Sequence, residues 1–249
     1  MYKPYLLRTP DFNPTSGGIR VMWGLYGWLL AKGQLAYLNT QIDVQSIGIY
    51  PEIYHGNDMK ADKVVRYMLN APGVMATHGV PGPTTFDPTD EIYVFSKIYD
   101  TFGVDDDHLL FLPIINLHLF KNMGKVRTKT CYLVGKGTNK HLHPEDAIEI
   151  TRDFANDQKA LADLLNECQM LYGYDHLSAA YDIARLCGCP VEYHGDATRE
   201  ELKDYEPGLD GIDFGGGTMW SIDSFRDNYQ SLITQFSMKL DRFIERTQS

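Results

Sequence analysis

Two lysines in the stretch YLVGKGTNK, Lys136 and Lys140, follow an apolar run and stand where a strand would end, with Gly135 breaking it. Open α/β sheets hold their ligands at the carboxyl ends of strands, so two ammonium groups there could neutralise a diphosphate. The ordinary alternative is a pair of solvated surface charges. Further along, GYDHLSAAYDIARLCGCPV sets Asp175, His176, Leu177 and Ser178 at a turn between a strand ending near Tyr174 and a helix. The first backbone N–H groups of a helix lack helical partners and sit at the positive end of its dipole, which suits an anion. Tyr174 and Asp182 are spaced so that a strand-end side chain and one from the early helix could close on one ligand. The same residues read equally well as a structural pair, with Asp175 capping the helix and Asp182 on its wet face.

Gly17 and Gly18 stand just before a second predicted helix, in a turn able to receive a phosphate or a sugar hydroxyl. The sequence around them is neither G-x-G-x-x-G nor G-x-x-x-x-G-K-[ST], which argues against a standard dinucleotide enzyme and against a P-loop NTPase. Cysteines 131, 168, 187 and 189 form no CxxC pair, so free buried thiols are the expectation. A zinc site from Cys187 and Cys189 with His141 and His143 lacks every usual ligand spacing.

The elements that must position these residues alternate between apolar strands and amphipathic helices, which favours an α/β fold with mainly parallel sheets. The stretch after Gly17-Gly18 reads as a helix closing at Lys32-Gly33, QSIGIYPE as a buried strand, and NDMKADKVVRYMLNAPG as a helix started by Asn57 or Asp58. EIYVFS and HLLFLPII read as strands. The basic segment NLHLFKNMGKVRTK, residues 116–129, separates this set from a second one. The second set runs TCYLVGKG, DAIEIT, the helix DQKALADLLNEC, QMLYGY, the helix after Tyr174, and CPVEYH. Two Rossmann-like halves, 1–120 and 121–220, facing a cleft are expected, followed over 221–249 by a long amphipathic helix with Phe225, Tyr229, Leu232, Phe236, Leu240 and Phe243 on its buried stripe.

The chain's 249 residues suffice for one large domain or two small ones, and 43% hydrophobic against 22% charged residues is a globular balance. A net charge of −10 opposes any broad phosphate-tracking surface, so nucleic acid is not the expected partner. The apolar run VMWGLYGWLLA falls short of the roughly 20 residues that span a bilayer, and the N-terminus shows no secretory pattern, so a cytoplasmic location is expected. Oligomeric state is left open.

The run from Ser178 to Val191, S-A-A-Y-D-I-A-R-L-C-G-C-P-V, resembles the carboxy-terminal half of GT-B glycosyltransferases, particularly the GT4-like bacterial and phage kind, whose motif ends E-A-x-x-C-G-C-P-V. PTSGGIR, YPEIYHGN, VVRYMLNAPG, FLPIINLHLF and CYLVGKG resemble further segments of that family in order. The resemblance implies an acceptor-side domain over 1–120, a donor domain over 121–220, and transfer of a sugar from a nucleotide-diphosphate sugar to a glycan or lipid-linked acceptor. It implies no obligatory metal and no cofactor beyond the donor substrate. Lys136 and Lys140 match the family's basic pair, Ser178 its phosphate-contacting helix start, and Asp182 the Glu that holds the nucleotide ribose. The family's E-x7-E pair falls at Tyr174 and Asp182, so its first carboxylate is absent here.

In the amino-terminal half the resemblance places Gly17, Gly18 and Arg20 near the donor phosphates and the acceptor, and turns Glu52, His55 and Asn57 toward the acceptor. His55 could take a proton from an attacking hydroxyl, as imidazoles do near neutral pH, or be a structural histidine bonded to backbone. The rival readings are a nucleotide-sugar epimerase on the same fold and a catalytically degenerate module that only binds a glycan or a protein.

Overall fold

The computed structural model of the chain describes residues 2–75, 79–80, 82–216, 222 and 224–249. The chain forms two compact units, Met1–Ile114 with Leu232–Ser249, and Ile115–Ser231. The junction expected near 120 falls between 114 and 115, and the last helix is shared between the units rather than standing apart.

The first unit contains strands β1 Tyr5–Leu7, β2 Ala36–Leu38, β3 Ile47–Pro51, β4 Lys63–Met68 and β5 Glu91–Val94, and helix α1 Gly17–Ala31. All are parallel, in the order β2-β1-β3-β4-β5. The second contains β6 Lys129–Leu133, β7 Ile148–Glu149, α2 Arg152–Asn156, α3 Gln158–Glu167, β8 Cys168–Gly173, α4 Ala179–Leu186, β9 Val191–Tyr193 and β10 Ile212–Asp213. These strands too are parallel, in the order β10-β9-β8-β6-β7. Helix α5, Phe225–Gln248, closes the chain. Each sheet is therefore a doubly wound sheet in which the second strand of its set pairs outside the first, and the direction of winding reverses between β1 and β3 and again between β6 and β8.

In the first unit α1 buries Val21, Met22, Leu25 and Leu29, and α5 adds Phe236, Leu240 and Phe243 to the same core beside Tyr5, Leu7 and Tyr93. The stretch 57–73, expected as a helix, instead contains β4. Val65, Tyr67, Arg66 and Met68 are all buried, because β4 lies between β3 and β5 with both faces covered. Such a strand shows no polar alternation, and a short apolar run of this kind looks the same as a helix segment in sequence. HLLFLPII, expected as a strand, contributes only a bridge from Leu109 to Val94.

In the second unit α3 and α4 pack together over one face of the sheet, where a Cβ on Gly173 would come within 2.5 Å of the Tyr181 ring of α4. The Cys-Gly-Cys-Pro sequence explains how α4 stops. Gly188 has φ +75°, its N–H donates to the Arg185 carbonyl, and the Cys189 N–H donates to the Ala184 carbonyl. This is a Schellman cap, which needs a residue at ease with positive φ, and Pro190 then prevents any further helical turn before β9. Arg127 donates to the carbonyls of Leu165, Cys168 and Cys187, so one guanidinium holds the carboxyl ends of α3 and α4.

Candidate functional site

In a doubly wound sheet the two loops that leave the reversal point diverge to opposite faces and open a crevice at the carboxyl ends of the strands. In the second unit those loops follow β6 and β8, which pair with Leu133 opposite Gly173. They carry Gly135, Lys136 and Gly137 on one side and Tyr174 to Ser178 on the other.

The two loops touch. A Cβ on Gly137 would lie 1.8 Å from the Tyr174 carbonyl oxygen, and one on Gly135 would lie 2.2 Å from Asp175 Oδ2. Gly135 has φ +56°, so glycine is required there for conformation as well as space. Asp175 is 6% exposed, and its Oδ1 has no hydrogen-bond partner among the described residues. Burial raises its pKa, against the opposing pull of the Lys136 N–H and charge and the N–H groups of His176 and Leu177. A carboxylate with one buried oxygen unengaged at a crevice can accept a ligand hydroxyl.

Ser178 is the N-cap of α4 and accepts from the Ala180 N–H at 3.2 Å. His176 is exposed and its carbonyl accepts from the Tyr193 hydroxyl, while Leu177 is half-buried. Lys136 is exposed beside Asp175. Gly135, Lys136, Asp175 and the start of α4 thus lie together at the carboxyl ends of β6 and β8.

Three other residues are engaged elsewhere. Lys140 pairs with Asp196 at 2.9 Å on the surface, and holds that carboxyl below its ordinary pKa. Tyr174 is buried, and its hydroxyl accepts from the Leu142 N–H and bonds His143 Nδ1, each at 2.8 Å. Asp182 takes neither expected place. Its carboxylate is buried, 2.6 Å from Arg185 Nη2, and both oxygens accept from the Tyr205 hydroxyl at 3.0 Å. Arg185 in turn donates to the carbonyls of Gly208 and Asp210 and lies 3.8 Å over the Phe225 ring. The pair is internal scaffolding for this unit rather than a ribose-facing carboxylate.

In the first unit the corresponding loops follow β1 and β3. Gly17 and Gly18 form the first turn of α1 rather than a loop before it. A Cβ on Gly17 would meet nothing within 4 Å, so ligand approach to that turn is open. Gly18 sits against Leu69, whose N–H donates to the buried Glu52 carboxylate at 2.9 Å. Arg20 donates to the Ile114 carbonyl at 2.9 Å, which ties α1 to the end of its own unit. Asn57 closes its own loop, accepting from the Tyr50 hydroxyl and the Ala61 N–H and donating to the Ala61 carbonyl. His55 is exposed beyond β3.

Among the described residues no group of three or more His, Cys, Asp or Glu is arranged to hold a metal ion. The four cysteines are buried and free. His143, the anchor of Tyr174, was not singled out as such in the sequence; its signal is the Y-x-Y of Tyr172 and Tyr174, which places both rings on the face where His143 lands.

No protein-family model matches the chain, and no curated protein matches it. Among solved structures, the glycosyltransferase SnogD from Streptomyces nogalater is similar at 11% identity and TM-score 0.41, covering 98% of this chain and 100% of that one. An alpha-glucosyltransferase in complex with UDP and a 13-mer DNA gives 9% identity and TM-score 0.49 over 95% of this chain and 90% of that one. Spinosyn forosaminyltransferase SpnP gives 11% and 0.34 over 97% and 94%. At these scores they stand as likenesses only, and the functional reading is built from the residues. Among the described residues no helix is long and apolar enough to cross a membrane.

Proposed function

We propose that this chain is a metal-independent glycosyltransferase of the GT-B kind, taking a sugar from a nucleotide-diphosphate sugar and passing it to a glycan or lipid-linked acceptor in the cytoplasm. The observation that supports it is the meeting of the Gly135–Gly137 turn with the Asp175–Ser178 turn at the reversal point of a parallel sheet. In this reading Lys136 and the first N–H groups of α4 receive the diphosphate, and Asp175 Oδ1 accepts a hydroxyl of the donor. The acceptor oxygen attacks the anomeric carbon, the bond to the diphosphate oxygen breaks, and the cationic turn stabilises the departing charge.

One observation favours a second reading. Asp182, at the position where the resembled family holds ribose, has both oxygens consumed inside the unit. That is what a module retaining the fold and binding a glycan without turnover would show.

A thermal-shift series with UDP, GDP, ADP, CMP, dTDP and their sugar conjugates separates the two. Ligand at a hundred times its Kd adds about 2.7 kcal/mol to apparent stability. The transferase reading expects one nucleoside diphosphate to raise Tm, Lys136→Ala to weaken that ligand by about 1 kcal/mol or more, and free diphosphate to appear when donor and acceptor are mixed. Absence of a shift with every nucleotide sinks it in favour of the second reading.

A further inference from the structure

The sheet of the second unit has a face turned away from α3 and α4. On β8, Gly173 abuts Tyr181 of α4, so strand alternation turns Tyr172 and Tyr174 to the opposite side. Register sets Glu149 beside Tyr132, Tyr132 beside Tyr172, and Tyr172 beside Glu192, which makes one row across four strands. Glu149 is exposed and the other three are half-exposed. The connection from β6 to β7, which contains no helix, lays His143 on this row, 3.8 Å from the Tyr132 ring centroid and within 9° of parallel. His194 lies within 2° of parallel to Tyr172, with centroids 6.1 Å apart.

We propose that this row is a binding surface for a neutral glycan chain, separate from the diphosphate-binding turn. A sugar ring has apolar C–H faces and a rim of hydroxyls, so it needs flat π surfaces with strong hydrogen-bond acceptors beside them. Tyrosine and histidine rings flanked by Glu149 and Glu192 supply both. The surface is also fixed in advance. Tyr132 donates to Glu149 at 3.1 Å, His194 Nε2 bonds Glu192 at 2.9 Å, and Tyr174 is held by His143 and Leu142. Rings already ordered lose little freedom on binding. Two carboxylates in the row, on a chain of net charge −10, repel a phosphate backbone or anionic headgroups and leave a neutral polyhydroxyl ligand. Tyr174, buried two residues beyond Tyr172, joins the middle of the row to Asp175 along the chain.

Affinity electrophoresis of the full chain through native gels holding dextran, galactomannan or laminarin tests this, with heparin as the anionic control. At least one neutral polysaccharide should retard the protein, and heparin should not. Tyr172→Ala should weaken that retardation by about fivefold or more, Glu192→Gln should weaken it less, and Lys136→Ala and the distant Tyr37→Ala should leave it unchanged. Melting curves establish that each variant is folded. If a melt shows Tyr172→Ala to be unfolded, Tyr172→Phe and Glu192→Gln decide, the first keeping retardation and the second losing part of it. Migration unaffected by all three polysaccharides, or retardation equal in wild type and the row variants, overturns the proposal. So does a dimer that Tyr172→Ala converts to monomer, which would give the face to a second copy. None of these outcomes depends on whether nucleotide binds.

Discussion

Asp182 and Arg185 form an ion pair of 2.6 Å inside the second unit, and neither partner reaches solvent appreciably. Removing one member of a buried pair strands the other charge, which costs about 3–5 kcal/mol. Asp182→Ala is expected to lower the unfolding free energy from urea titration by an amount in that range, with Arg185→Met less damaging in combination than the sum of the two singles. Loss of under 1 kcal/mol would show the carboxylate to be solvated.

Gly137→Ala should be more damaging than an ordinary surface change, because the new Cβ meets backbone, the Tyr174 carbonyl at 1.8 Å, which cannot rotate aside. Forced overpacking costs about 1–3 kcal/mol. Thermal melts of Gly137→Ala against Gly17→Ala, where nothing lies within 4 Å, provide the comparison, and equal Tm values would refute the contact between the two loops.

His143 has its pKa lowered from 6.5, chiefly by burial and then by the His141 charge. The folded chain therefore holds this ring neutral where the unfolded chain is protonated. Its contribution is fully present above about pH 6.5 and is lost as pH falls through the depressed folded value, since the unfolded state then binds more protons. Between pH 7.5 and 5, wild type should lose more Tm than His143→Gln. Parallel curves would remove His143 as the source.

The four thiols should be inert in the native state. Cys131 is pushed up by hydrogen bonding with Cys168 and Cys189, and Cys187 is pushed up to about 12 by burial; Cys168 is lowered by its bond with Cys131, so its inertness rests on complete burial. Ellman's reagent is expected to find no reactive thiol in the folded protein and four after addition of guanidinium. A fast native phase would place one of them at the surface.

How much of this was legible depended on whether the signal was local. The cap at Gly188, the helix periodicity of α4 and α5, and the strand ends before Lys136 and Asp175 are written in neighbouring residues. Strand β4 was hidden because Val65, Tyr67, Arg66 and Met68 are all buried, so the period that separates strand from helix is absent. Asp182 was read as ligand or as wet face, and is neither, because the Tyr205 hydroxyl that closes over it arrives from a loop well beyond α4. Likewise nothing near Tyr174 announces that Leu142 and His143 will occupy its hydroxyl.

The carboxyl half of α5 returns to the first unit, where Phe236, Leu240 and Phe243 join a core begun by Tyr5 and Leu7. A ribosome therefore delivers the whole of Ile115–Ser231 before the earlier unit has its last wall. That unit must wait, incomplete, while the later one can already close. The Tyr5 hydroxyl waits 242 residues for Thr247, which it meets at 2.7 Å. A stop codon near 231 would thus injure the unit begun earlier and spare the one begun later.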